Sequence, residues 1–192
     1  MRALATLGAM CMAMALSGDG ANSADISRLE WGQFVAESDS STEMQSWKTV
    51  AADDGSGMKL EFQSLVAKAD GSTMSASASL SGHFNIYQPP RDSVGGYRVV
   101  LRGHIIKSKN SVARLAITAG TEHKTIEWLE GMEIAEEFVT TIDGTTQAGG
   151  LLPNPFIVSA AAHASKSGAE GAVLVSLESI RIETGPARIA AR

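Results

Sequence analysis

Residues 75–87 read SASASLSGHFNIY, and this stretch decides the fold class. Its even positions, from Ala76 to Ile86, are apolar or glycine, whereas its odd positions, from Ser75 to Tyr87, are polar or aromatic. A β-strand points successive side chains to opposite faces of its sheet, so this alternation predicts a strand that is buried on one face only. Most of the chain shows the same period of two, which predicts an all-β protein.

The alternating segments and the turn residues between them predict about ten strands. They lie near residues 26–34, 46–51, 58–67, 74–87, 97–106, 112–119, 123–130, 134–142, 156–163 and 172–183. Asp54-Gly55, Asp70-Gly71 and Asp143-Gly144 are dipeptides typical of hairpin turns. Short strands with such turns predict a single antiparallel β-sandwich of jelly-roll-like type, which we expect to form one domain over residues 24–192.

Two strands change phase along their length. The apolar positions shift from even to odd near Ser64, and they shift from odd to even between Leu177 and Ile180. One extra residue in a strand has this effect, so both places are predicted to be β-bulges.

Residues 126–138 leave two alternatives open. Apolar residues such as Trp128 and Met132 recur there at helical spacing, which is compatible with a short helix. Gly131 in the middle and the β-branched run at 139–142 favour two strands instead. We expect two strands and keep the short helix as the alternative.

The N-terminus has the features of a signal peptide over residues 1–23. Arg2 precedes an apolar run at residues 3–16, and a cleavage site fits after Ser23 or Ala24. The run is too short to span a bilayer as a helix. We therefore expect a secreted or periplasmic protein with no transmembrane helix after cleavage.

Charge and cysteine content narrow the possible partners. Cys11 lies in the predicted signal peptide, so we expect a mature chain without cysteine and without disulfides. The formal net charge is −5, which argues against nucleic acid as a partner. Residues 91–120 nevertheless carry six Lys or Arg against one Asp, which leaves room for an anionic partner.

The centre of that basic block reads YRVVLRGHIIKSKNSVARLAI at residues 97–117. If residues 108–110 form a tight loop, the flanking strands make a hairpin. The resulting register places His104 opposite Arg114 on the outer face.

The predicted hairpin provides the candidate binding residues, which are Arg98, Arg102, His104 and Arg114, with Tyr87 as an outward aromatic. Exposed Arg and Lys are what outer faces usually carry, so the residues favour a solvated face whose charges keep the sheet soluble and discourage edge pairing. The other interpretation is a basic face that binds an anionic polysaccharide or another cell-surface component through charge-assisted hydrogen bonds.

The residue patterns favour a non-enzymatic protein and leave an enzyme open. The four histidines, at 83, 104, 123 and 163, form no close pair, so no metal site is predicted, although His83 and His104 are able to meet if their strands are adjacent. No G-x-S-x-G and no cysteine nucleophile are present, and neither catalytic residues nor a cofactor are predicted. The alternatives are a carbohydrate-active enzyme or lectin-like domain that uses carboxylates between Glu127 and Glu137 with Trp128, or a self-assembling surface subunit. The oligomeric state is left open.

Three segments resemble a family of small secreted all-β proteins of unknown function in bacteria and fungi. They are DGSGMKLEFQSLVA at residues 54–67, the central stretch at 97–117, and VLVSLESIRIE at residues 173–183. The resemblance implies a secreted sandwich. It implies no catalytic or binding residue.

Overall fold

In the part of the chain that the structure describes, ten strands form two antiparallel sheets that pack face to face. A computed structural model describes residues 28–40, 46–51, 57–87, 95–145 and 155–186, and the predicted signal peptide lies outside this range. The strands are β1 (Arg28–Ser38), β2 (Ser46–Ala51), β3 (Gly57–Ala69), β4 (Ser75–Tyr87), β5 (Gly95–Lys107), β6 (Ser111–Ala119), β7 (Glu122–Trp128), β8 (Ile134–Thr145), β9 (Phe156–Lys166) and β10 (Val173–Pro186). The predicted all-β sandwich is confirmed.

The strand order is that of a jelly roll. Sheet A has the order β1-β4-β9-β6-β7 and sheet B has the order β2-β3-β10-β5-β8. From β3 to β10 the chain changes sheet at every connection except the β6–β7 hairpin. Strands β1 and β2 each extend one edge of this eight-stranded arrangement.

The predicted hairpin between β5 and β6 is wrong. Strand β5 pairs with β10 and β8 in sheet B, whereas β6 pairs with β9 and β7 in sheet A. Ser108 bonds to Ala172 instead: its N–H donates to the Ala172 carbonyl at 2.9 Å, and its hydroxyl accepts from the Ala172 N–H at 2.9 Å. Residues 108–110 therefore form a corner that carries the chain from one sheet to the other.

Two turn predictions need correction. Asp143-Gly144 lies inside β8, where Asp143 pairs with Arg98 and Gly144 with Tyr97. Gly144 is required there because a Cβ atom would lie 2.2 Å from Cζ of Tyr97. Asp70-Gly71 is a turn, with Gly71 at φ 49°, but it joins strands of different sheets and is not a hairpin.

Other local predictions are confirmed. Residues 122–145 form strands β7 and β8 rather than a helix, with Gly131 in the connecting turn at φ 95°. The pairing of β3 with β10 shifts between Leu177 and Ser179 of β10, which pair with Leu65 and Glu61 of β3. Both predicted bulges lie at this shift. Asp54-Gly55 and the loop at 88–90 lie outside the described residues.

The core lies between the two sheets and combines small with large side chains. Sheet A contributes many alanines from β4, β6 and β9, and sheet B contributes leucine, isoleucine and valine from β3, β5 and β10. Small residues opposite large ones let two sheets interdigitate at high density.

Two buried lysines hold the loops at one end of the sandwich. Nζ of Lys107 donates to the carbonyl of Met132 at 2.7 Å, and Nζ of Lys166 donates to the carbonyl of Gly71 at 2.6 Å. Both side chains are inside the fold, and burial lowers the pKa of Lys107 while the Glu130 carboxylate raises it in part. Backbone carbonyls satisfy these ammonium groups, which would otherwise be costly to bury.

Candidate functional site

The structure separates the predicted basic residues onto two opposite faces. Arg98, Arg102 and His104 lie at alternate positions of β5, on the outer face of sheet B. Arg114 lies on the outer face of sheet A, where it is opposite Glu127 of β7 and His163 of β9. Because β5 and β6 lie in different sheets, Arg98, Arg102 and His104 share one surface and Arg114 lies on the other.

Tyr87 was the fifth candidate. It is the last residue of β4 in sheet A, and its backbone pairs with that of Arg28. Its side chain lies outside the part of the structure that is described, so its role stays a prediction.

Most of the basic side chains have an acidic partner. Arg98 bonds to Asp143 through two contacts, Nε to Oδ1 at 2.7 Å and Nη2 to Oδ2 at 3.2 Å. This hydrogen bonding, followed by the Coulomb attraction of the same carboxylate, raises the pKa of Arg98. Nε of Arg114 lies 3.5 Å from Oε1 of Glu127. Such pairs reduce the positive potential that an anionic ligand would meet.

His104 is held by a carboxylate that a β-bulge delivers. Leu177 and Ser179 of β10 pair with the consecutive residues Gly103 and Arg102 of β5, so Glu178 is the extra residue between them. Its carboxylate contacts Nδ1 of His104. A carboxylate at Nδ1 fixes the orientation of the imidazole ring and leaves Nε2 for another partner.

Arg102 differs from its neighbours. Its side chain is exposed, and within the described part of the chain it has neither an ion pair nor a hydrogen bond. Its cross-strand partner on β8 is Val139, which is 55% exposed. We call Arg102, Val139, His104 and Glu178 the sheet B patch. It combines a guanidinium that is unpaired within the described residues, an aliphatic surface and a fixed polar pair.

A second feature lies on the outer face of sheet A, where β1, β4 and β9 meet. A shallow groove of about 300 Å³ is lined by Gln33, Val35, Ser81, Gly82, His83, Pro155 and Ile157. None of these residues is Asp, Glu, Lys or Arg, so the groove offers no formal charge when His83 is neutral.

The groove is shaped by a bulge in β1. The β1–β4 pairing shifts between Trp31 and Phe34, and the backbone N–H of Gln33 donates to Nε2 of His83 at 3.2 Å. Gly32 leaves room for this ring, because a Cβ atom there would lie 1.9 Å from Nε2. Sequence reasoning missed the groove. The signal for it is the pair of Gly-x-Phe triplets at 32–34 and 82–84, which meet across β1 and β4.

The histidines do not converge. His83 lies in sheet A and His104 in sheet B, so the possible meeting of these two residues across adjacent strands is wrong. Among the residues described, no three His, Cys, Asp or Glu side chains form a group that could hold a metal ion.

The alternative of a carbohydrate-active site requires Trp128 to be exposed, and it is not. Trp128 is buried and packs against Phe138 at a centroid distance of 5.4 Å, so it is a core residue. Glu127, on β7, faces Arg114 of β6. Glu136 and Glu137 lie on β8, in the other sheet. In the described ranges, no helix is long and apolar enough to cross a membrane.

Comparison with known proteins gives a likeness in fold only. No family model matches the chain, and no curated protein matches it. Among solved structures, TmCBM61 in complex with β-1,4-galactotriose is 14% identical and covers 82% of this chain and 91% of its own, at a TM-score of 0.37. The CBM36-1 domain of a multidomain xylanase from the hindgut metagenome of Trinervitermes trinervoides is 13% identical, covering 82% and 100%, at a TM-score of 0.29. The Eiger TNF from S. frugiperda is 9% identical, covering 67% and 97%, at a TM-score of 0.26.

Proposed function

We propose that this protein is an exported, non-enzymatic β-sandwich that binds a carboxylated glycan at the sheet B patch. The observation that carries the proposal is the guanidinium of Arg102, which has no ion pair or hydrogen bond within the described residues and lies beside the exposed side chain of Val139. A guanidinium binds a carboxylate through two parallel hydrogen bonds, and an aliphatic side chain covers the apolar face of a sugar ring.

The fixed pair beside Arg102 supports the same proposal. The Glu178 carboxylate accepts hydrogen bonds, and His104 keeps its Nε2 atom available. Both side chains are about half exposed, at 47% and 45%, and the bulge at Glu178 sets their position. Groups held in place lose less conformational entropy when they bind, which favours selective contact with sugar hydroxyls.

The balance of charges limits how the ligand binds. Arg98, on the same strand, is already paired with Asp143, so of these two arginines Arg102 is the one that, within the described residues, is left for a carboxylate. We therefore expect weak binding at one carboxylate at a time rather than strong, unselective adsorption of polyanions. Salt should weaken the binding by screening, but with a shallow dependence.

The experiment compares polygalacturonate with its fully methyl-esterified form, using the protein immobilised at 50 mM and 300 mM salt. We expect retention of the acidic polymer only, reduced at least about tenfold in Arg102→Ala. Arg102→Lys should recover little, because an ammonium cannot form the bidentate contact. Arg114→Ala, on the opposite face, is the matched control and should bind as the wild type does. Equal loss in Arg102→Ala and Arg114→Ala would contradict a site on sheet B.

Export is part of the proposal and has its own test. Strand β1 begins at Arg28, so removal of residues 1–23 leaves the ten described strands intact. N-terminal sequencing of protein recovered outside the cytoplasm should begin at Ala24 or Asp25. A chain that keeps its first 23 residues there would refute cleavage. Membership of the secreted all-β family that the sequence resembles stays a proposal as well.

A further inference from the structure

We propose that the groove lined by Gln33, Ser81 and His83 is a second binding site, for a single uncharged ring that carries hydroxyl groups, such as one pyranose unit of a neutral glycan. This site lies on the outer face of sheet A, on the opposite side of the sandwich from the sheet B patch. It does not depend on the function proposed for Arg102.

A backbone hydrogen bond holds the His83 ring at the groove. Its Nε2 atom accepts from the backbone N–H of Gln33 at 3.2 Å, so Nδ1 is the ring nitrogen left to meet a ligand hydroxyl. Because Gly32 has no side chain, the ring lies against the backbone of the bulge, which holds it in place.

The groove combines polar groups with exposed aliphatic side chains. The Gln33 amide both donates and accepts, and the Ser81 hydroxyl does the same. Val35 and Ile157 line the same groove and are 44% and 54% exposed. A pyranose ring presents hydroxyls at its rim and C–H groups on its faces, so it matches both kinds of group.

The charge and the size of the groove both favour a small neutral ligand. The lining holds no Asp, Glu, Lys or Arg, so a charged ligand would lose hydration without gaining a counter-charge. A volume of about 300 Å³ lies at the lower end of the range for small-molecule sites, which suits one ring rather than a longer segment.

The test is an NMR titration of the full protein with methyl glycosides of glucose, galactose, mannose and xylose. We expect saturable shifts of the Gln33 amide and the His83 ring signals with at least one glycoside. Ile157→Arg places a long charged side chain at the groove and should weaken binding at least about tenfold. Met74→Arg adds the same charge at a residue that is 51% exposed in the β3–β4 connection, and it should change nothing.

Two results would overturn the site. One is the absence of saturable shifts at Gln33 and His83 with all four glycosides, and the other is equal binding by wild type and Ile157→Arg. An uncharged blocked peptide provides a comparison, and its saturable binding in place of every glycoside would also refute the proposed ligand class. Arg102→Ala should retain glycoside binding, so failure here is distinguishable from failure at the sheet B patch.

Discussion

The Tyr97 hydroxyl donates a hydrogen bond of 2.7 Å to the backbone carbonyl of Ala119, and this bond joins sheet B to sheet A inside the core. The Tyr97 ring also packs edge-on against Phe156 at a centroid distance of 4.6 Å. Tyr97→Phe keeps the ring and leaves the buried carbonyl without its donor. We expect a loss of about 1–2 kcal/mol in the free energy of unfolding, measured by urea denaturation at pH 7.

Tyr97 also predicts how stability changes in alkali. Burial raises its pKa above the ordinary value of 10.0, and the Glu122 carboxylate raises it further. As pH rises above 10.0 the unfolded chain loses the phenol proton while the folded chain keeps it, so the free energy of unfolding falls. The difference in free energy of unfolding between wild type and Tyr97→Phe should therefore shrink as the pH rises above 10.0. If the free energies of the two proteins instead run parallel against pH, the raised pKa of Tyr97 is contradicted.

Gly103 is a position where no side chain fits. A Cβ atom there would lie 2.1 Å from the backbone oxygen of Ser176 and 2.6 Å from Cζ of Phe138. A backbone atom in a central strand cannot move aside, so Gly103→Ala should cost at least about 3 kcal/mol. Gly168→Ala is the matched control, because nothing lies within 4 Å of a Cβ atom there. A stable Gly103→Ala protein would show that β10 can shift along β5.

The sequence predicts which face of each strand is buried, but it does not predict which strand lies beside it. Leu101 and Ile105 are inside the core as alternation indicates. A hairpin and a corner between two sheets both place the same alternate residues inward, so the alternation over 97–117 was compatible with either. Pairing of β5 with β10 joins residues far apart in the chain, which no local pattern reveals.

The candidate site depended on that same long-range pairing. The acids that contact Arg98 and His104 are 45 and 74 residues away in the sequence, on β8 and β10. Residues 91–120 are rich in Lys and Arg, but the structure divides the candidate residues Arg98, Arg102, His104 and Arg114 between two faces. Arg102 differs from Arg98 and His104 because its cross-strand partner on β8 is the apolar Val139.

Lys107 predicts a pH effect of the opposite sign to that of Tyr97. Burial holds its pKa below the ordinary value of 10.5, so in the window just below 10.5 the unfolded chain binds a proton that the folded chain does not. The free energy of unfolding then rises with pH across that window. Lys107→Met should remove this rise. The measurement is the free energy of unfolding of wild type minus that of Lys107→Met, from urea denaturation between pH 8 and 10.5. A constant difference would show that the folded protein keeps Lys107 charged.

The same variant releases the β7–β8 turn. Nζ of Lys107 bonds to the carbonyls of Met132 and Ser108, and Gly131 N–H donates to the carbonyl of Lys109. Without the ammonium group the turn loses its bonds to Nζ and keeps the backbone bond between Gly131 and Lys109, so we expect faster hydrogen exchange at the Gly131 amide. Exchange in β10 should stay unchanged, because that strand lies in the middle of sheet B.

Thr140 predicts a stabilising substitution. Its hydroxyl is buried on the inner side of β8, beside Leu101, and within the described residues it has no hydrogen-bond partner. A hydroxyl buried without a partner loses its hydration and gains nothing, whereas valine has the same shape and no polar atom. Thr140→Val should therefore raise the free energy of unfolding by about 1 kcal/mol in urea denaturation. Thr118→Val, at an exposed position of β6, is the control and should stay within about 0.5 kcal/mol of wild type. A loss of stability in Thr140→Val would show that the hydroxyl is bonded to a buried water.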